Sequence, residues 1–366
     1  MQRTQTNLKR LFFAAAAGAA VLATGACMSD GMGRGDMSHP AAMAMTARPD
    51  ADMQRVLDEL ARLGARPVDT LTVPQARSQP SPADAVMAVM RAQGMPTTPP
   101  PTVATQDLTY PDAGGGQQRA RVYRPTGVDG PLPVIVYYHG GGWVIANLDV
   151  YDATPRALAA GARAIVVSVE YRKGPESRFP AAHDDANDAW RWAAQNASAW
   201  GGDPERMAVA GESAGGNLAM NVAISARDGG GPRPRHVLAV YPIANADPNL
   251  PSKRENTGAA PLRTAGLMWF GRHALRSPAD QQDPRFNLVA ANLRGLPPVT
   301  IVRAQIDPLR SDGETLEQAL RGVGVEVDGR TFEGVTHEFF SMGSVVGDAR
   351  NANEYANQRL RTAFTR

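Results

Sequence analysis

Cysteine is almost absent: Cys27 is the one such residue in 366. A single thiol excludes an internal disulfide. The sequence also has no C-x-x-C, no H-E-x-x-H and no His/Cys cluster, which argues against a structural or catalytic metal. Excess charge is missing as well. Lys and Arg number 38 against 36 Asp and Glu, a formal +2, so nothing marks a partner among nucleic acids or acidic proteins. No internal repeat is visible, and the apolar stretch Leu11–Ala26 is too short to span a bilayer.

That stretch instead follows Arg3, Lys9 and Arg10 and ends Leu22-Ala23-Thr24-Gly25-Ala26-Cys27, the layout of an export signal over residues 1–26. Small residues directly before Cys27 resemble a bacterial lipoprotein signal, in which Cys27 is freed and lipidated; Thr24 stands where Leu is usual. Ordinary cleavage after a small residue, giving a soluble exported protein, is the other reading. The expected location is therefore periplasmic, or at a membrane through a lipidated Cys27. Residues 27–50, aperiodic and rich in small and breaking residues, are expected to form a flexible tether.

What is present centres on Gly211-Glu212-Ser213-Ala214-Gly215-Gly216. An apolar run, Met207–Ala210, precedes it as a buried strand, and Asn217–Ala223 follows as a helix. Strand, G-x-S-x-G and helix together describe a nucleophile elbow. The turn strains the serine backbone, small neighbours let strand and helix approach, and the helix N-terminus favours negative charge. A second motif, His139-Gly140-Gly141-Gly142-Trp143, ends the apolar run Pro133–Tyr138. Glycines there let main-chain N–H groups come close to an oxyanion, and Ala214 supplies another.

Around these motifs the chain predicts an α/β fold. Helical spacing of Met53, Val56, Leu57, Leu60 and Leu63, and a second helix over 82–93, precede the first strand; they cover either the site or the core. Two strands flank Asp112-Ala113-Gly114-Gly115-Gly116 as a hairpin. Strands and helices then alternate, giving a mostly parallel sheet with helices on both faces. Between Pro242 and Pro297 the alternation lapses, and residues 262–275 read as a helical insert.

A serine hydroxyl needs a base to remove its proton. His39 lies in the tether, His139 is read as bracing the glycine loop, and His183 as a solvated residue in a helix's first turn. His236 opens a strand at the wrong edge, and His273 belongs to the insert. His337, just past the last strand, is the candidate base. Asp307, at a strand's carboxyl end, is its candidate partner; Asp312 is the rival and suits helix capping. Chain order Ser213, Asp307, His337 is that of α/β-hydrolases.

With these residues in place, the chain from about residue 51 onward resembles the hormone-sensitive-lipase-like family of bacterial esterases. The likeness also rests on Tyr171-Arg172, Pro175-Glu176, Phe179-Pro180-Ala181-Ala182, Asp307-Pro308-Leu309-Arg310 and Phe339-Phe340. The resemblance implies an α/β-hydrolase domain over 51–366, with a helical cap from about 51–100 and 243–296. It implies Ser213 as nucleophile, His337 as base, Asp307 as its partner, and Gly140, Gly141 and Ala214 as oxyanion hole. The expected substrates are small esters with short to medium acyl groups; Trp143, Met268 and Phe270 are expected either to line the acyl pocket or to pack in the core, and no cofactor is needed. An amidase or transacylase on the same triad, or a non-catalytic relative, are the alternatives. Two residues depart from the family pattern: Glu212 replaces the usual Asp, and Glu338 stands where Gly often follows the histidine.

Overall fold

The computed structural model describes residues 47–229 and 231–366; the expected export signal at 1–26, Cys27 and most of the expected tether lie outside the described residues. Asp50, the last residue of the expected tether, donates its N–H to the Gly334 carbonyl (2.8 Å). Helix α1 (Ala51–Arg62) follows, burying Met53, Val56 and Leu60 at helical spacing. Two short helices come next, α2 (Val73–Ser78) and α3 (Pro82–Ala92). Each starts with a reciprocal capping box, Thr72 with Gln75 and Ser81 with Asp84, and a proline in the first turn. The apolar spacing did not reveal α2, because six residues are too few to show a period.

Strands β1 (Val103–Pro111) and β2 (Gln117–Pro125) form the expected hairpin. Its loop closes on Asp112, whose carboxylate accepts the N–H groups of Gly114 (2.8 Å) and Gly116 (2.9 Å). Next come β3 (Leu132–Tyr138), α4 (Ala153–Ala162), β4 (Ile165–Val169), α5 (Ala181–Asn196), β5 (Gly202–Glu212) and α6 (Ala214–Gly229). After β6 (Val237–Val240) the insert holds α7 (Pro251–Glu255) and α8 (Thr264–Ala274). The chain ends with β7 (Val299–Ile306), α9 (Arg310–Gly322), β8 (Val327–Thr336) and α10 (Gly347–Thr365).

The eight strands form one sheet in the order β1-β2-β4-β3-β5-β6-β7-β8. Pairing is antiparallel from β1 through β4 and parallel from β4 to β8. Every residue of β3 and β4 is buried, because both faces are covered. Alternate side chains enter two different cores. Val134, Val136 and Tyr138 join Leu218, Val222, Leu316 and Leu320 of α6 and α9. Ile135 and Tyr137 join Met53, Val86, Leu158 and Leu360 of α1, α3, α4 and α10. Each fully buried Val or Ile contributes about 2 kcal/mol of transfer free energy, so a slip of one residue in β3 would forfeit both interfaces.

Parallel pairing puts the carboxyl ends of β3, β5, β6, β7 and β8 on one edge. His139, Ser213, Tyr241, Asp307 and His337 each follow one of these ends directly.

Candidate active site

Ser213 occupies the turn between β5 and α6 with φ +57°, a left-handed geometry that a serine rarely adopts. Its N–H donates to Val240 (2.8 Å), which ties the turn to the neighbouring strand. The glycines around it are steric necessities. A Cβ on Gly211 would stand 2.1 Å from the Gly215 carbonyl oxygen, and one on Gly215 would stand 2.0 Å from that of Tyr138. Only bare backbone lets helix, elbow and β3 pack this closely.

His337 follows β8 and brings its ring over the elbow. Its Nε2 lies 3.1 Å from Ser213 Oγ, and its Nδ1 lies 2.7 Å from Asp307 Oδ2. The second oxygen of Asp307 accepts the Leu309 N–H (2.8 Å), which helps to hold the carboxylate in place. All three side chains are buried. Burial pushes the imidazole pKa down, but the charge and hydrogen bond of Asp307, helped by Glu338 and Glu212, outweigh it and hold it above 6.5.

The glycine loop lies beside this array. Gly141, Gly142 and Trp143 all take positive φ, and the Gly141 carbonyl accepts the N–H groups of Val144 and Ile145 (both 3.0 Å). Among the described residues, the N–H groups of Gly140, Gly141 and Ala214 have no acceptor. His139 is not hydrogen-bonded to Ser213. It donates from Nδ1 to the Gly140 carbonyl (2.7 Å), stacks on Tyr171 at 4.4 Å and approaches Glu170 (3.5 Å). It braces the loop.

A family model described as the alpha/beta hydrolase fold matches residues 135–341. Carboxylesterase NlhH of Mycobacterium tuberculosis is 40% identical over 274 residues, 73% of this chain and 86% of its own. The chain belongs to the hormone-sensitive-lipase-like esterases of the α/β-hydrolase fold. Ethyl acetate hydrolase of Pseudomonas putida is 34% identical over 83% of this chain and 95% of its own. A hyperthermophilic esterase from Pyrobaculum calidifontis superposes with TM-score 0.76 at 35% identity, over 85% of this chain and 96% of that one. The protein is a carboxylic ester hydrolase.

Above Ser213 and His337 the esterase has a cavity of about 490 Å³. Leu57 and Leu60 of α1 line one side, and Leu262, Leu267 and Phe270 of the insert line another; Trp143 and Met268 also border it. The N-terminal helices therefore serve both roles that the sequence left open. Met53 and Val56 pack into the core, while Leu57 and Leu60 reach the cavity. Two contacts join the N-terminal segment to the insert: Asp69 with Arg263 (2.6 Å), and Trp269 Nε1 donating to the Leu71 carbonyl (2.9 Å). Arg77 of α2 donates to the carbonyls of Val144 (2.9 Å) and Gly174 (2.8 Å), linking the same segment to the glycine loop.

Two expectations need correction. His183 is not solvated. It is buried, with Nε2 3.0 Å from Asn217 Oδ1, and burial pushes it down to about 4. α5 packs its first turn against α6, so the position inside the turn does not imply exposure. Asp312 does not cap its helix. It is buried, pairs with Lys253 (3.0 Å) and accepts the N–H groups of Ala244 (3.1 Å) and Asn245 (2.9 Å), anchoring the start of the insert.

The tyrosines behind the elbow went unnoticed in the sequence. Glu212 is fully buried and accepts hydroxyl hydrogen bonds from Tyr137 (2.5 Å) and Tyr241. Burial pushes its carboxyl up to about 7, against the opposing pull of the Thr154, Tyr137 and Tyr241 hydroxyls. Tyr137 and Tyr241 sit within or next to apolar strands, and only their position in the assembled sheet distinguishes them from packing residues.

Proposed function

We propose that this esterase cleaves its substrates through an acyl-enzyme on Ser213. The single observation that carries the reading is the Ser213–His337–Asp307 hydrogen-bonded line, at 3.1 and 2.7 Å, open to an apolar cavity. His337 Nε2 takes the Oγ proton as Oγ bonds to the ester carbonyl carbon. The carbonyl oxygen becomes an anion that the N–H groups of Gly140, Gly141 and Ala214 receive. Asp307 keeps Nδ1 protonated and offsets the imidazolium charge. The C–O bond to the alcohol then breaks, and the departing oxygen takes the proton from Nε2. Water, deprotonated by His337, attacks the acyl carbon and frees the acid with Ser213 restored.

The helices of 51–100 and 243–296 act as the cap, and Trp143 and Phe270 bound the acyl pocket. A cavity of about 490 Å³ suits short to medium acyl chains. Fluorophosphonate treatment followed by mass analysis is expected to add one phosphonyl group, lost in Ser213→Ala. An unlabelled wild-type protein would end this reading. A panel of nitrophenyl esters and matched anilides is expected to show esters turning over with acyl length as the limit; equal amide turnover would favour the amidase reading.

Export is inferred from the sequence pattern at 1–26. The esterase is read as periplasmic, or as a lipoprotein held at a membrane through Cys27. Labelled palmitate is expected to enter the wild type and not Cys27→Ala; equal labelling of both would remove the anchor.

A further inference from the structure

The cavity above Ser213 adjoins a second one, of about 550 Å³, and the two share Gln79, Pro80, Pro82, Gly141, Ile145 and Glu338. The second is the more polar of the two, bordered by Asn147, Tyr151, Tyr171 and Lys173. Glu338 is the carboxylate at the junction. It holds φ +74° immediately after the base, and its Oε1 stands 3.9 Å from His337 Nε2. The Tyr151 hydroxyl donates to it, 2.9 Å from one oxygen and 2.7 Å from the other.

No lysine or arginine among the described residues pairs with this carboxylate. The cations of the second cavity are already engaged, Arg77 with Glu176 (2.8 Å), Arg172 with Asp185 (2.7 Å) and Lys173 with Glu170. A carboxylate offers about four acceptor sites, and one hydroxyl leaves capacity open. The charge of Glu338 faces the imidazolium that forms on His337, 3.9 Å away, and its open acceptor sites remain for a donor carried by the substrate.

The reaction places the donor. When the bond to the alcohol breaks, the departing oxygen takes its proton from Nε2 and so stands about 3 Å from it. A hydroxyl on the next carbon, staggered gauche, lies on the order of 3 Å from that oxygen. Glu338, at 3.9 Å from Nε2, is within reach of it. We propose that Glu338 selects esters whose alcohol half carries a hydroxyl next to the ester-bearing carbon, monoesters of the glycol or glycerol type. The polar second cavity takes the rest of the alcohol. This inference rests on the Ser213 and His337 reading above.

The test compares kcat/KM for 2-hydroxyethyl acetate, propyl acetate (similar shape) and 2-methoxyethyl acetate (similar leaving group, no donor). The full chain is used as wild type, Glu338→Gly and Glu338→Gln. Any effect of Glu338 on the base is common to the three esters and cancels in their ratios. The wild type is expected to favour the hydroxyethyl ester at least about tenfold over both controls, the scale of one charge-assisted hydrogen bond. Glu338→Gly, a residue at ease with this φ, should bring the ratio within about twofold of unity. Glu338→Gln, whose carbonyl still accepts, should fall between. Turnover of all three esters with no hydroxyl preference, or a preference that survives Glu338→Gly, overturns this inference alone. Turnover of none overturns it together with the Ser213 reading.

Discussion

His337 is surrounded by three carboxylates of different standing. Asp307 is hydrogen-bonded to Nδ1 (2.7 Å), Glu338 lies 3.9 Å from Nε2, and Glu212 lies beneath the elbow, bound to tyrosine hydroxyls. Burial alone would push the imidazole down, yet the negative neighbours hold it above 6.5. A general base works in its neutral form, so kcat/KM should rise with pH through the His337 pKa and level off above it. Glu338→Gln removes one negative neighbour, which lowers that pKa and moves the rising limb to lower pH. A pH–rate profile of wild type and variant on propyl acetate measures this; an unmoved or upward limb would contradict it. His337 is singled out in the sequence as the candidate base by elimination from chain position. The carboxylate next to it was visible only as a departure from the family's glycine, because sequence order does not say which way its side chain turns.

At the scale of elements, the elbow carries the heaviest constraint. β5, Ser213 and α6 meet β3 across contacts in which backbone touches backbone, and no rotamer can relieve a clash there. Gly215→Ala should therefore cost about 3 kcal/mol of stability as β3 and the helix separate. It should also lose most of its activity, since any shift moves Ser213 away from His337. Thermal unfolding and fluorophosphonate labelling read the two effects. A variant with wild-type Tm and labelling rate would show that the packing relaxes more than its geometry implies. This element was legible in advance because its requirements fall within a few consecutive residues. The short capped helix α2 was not, although Thr72 and Gln75 carried the signal of its capping box.

The whole molecule responds to acid through histidines that catalysis does not use. His183 is pushed down to about 4 and His236 to about 3, in both cases first by burial; His236 Nε2 lies 2.9 Å from Thr300 Oγ1. Unfolded, each would protonate near 6.5. As pH falls below 6.5 the unfolded chain takes up these protons first, so the stability present above that pH is lost on the way to 3. Glu212, raised to about 7, acts in the opposite sense between about 7 and its unfolded value near 4.5. The contribution of one histidine is therefore isolated by difference. His236→Gln should reduce the slope of unfolding free energy against pH by about 1.4 kcal/mol per unit between roughly 5.5 and 4. Urea denaturation at a series of pH values checks this. Parallel slopes for wild type and variant would mean that His236 titrates normally in the fold.

The sequence by itself determined the local chemistry and its order: an elbow at Ser213, glycines at 140–142, a candidate acid at 307 and a candidate base at 337, spaced along alternating strands and helices. These follow from steric rules and periodicities that act over a few residues, and from the rule that parallel strands present their carboxyl ends together. Tertiary structure alone decided what lies between those points. It buried His183 and Asp312, ran tyrosine hydroxyls onto Glu212, brought α1 and the insert to one cavity, and set Glu338 at the junction with a second. Those outcomes depend on side chains from distant segments competing for the same space and the same hydrogen bonds, a contest that is settled only once every element is packed.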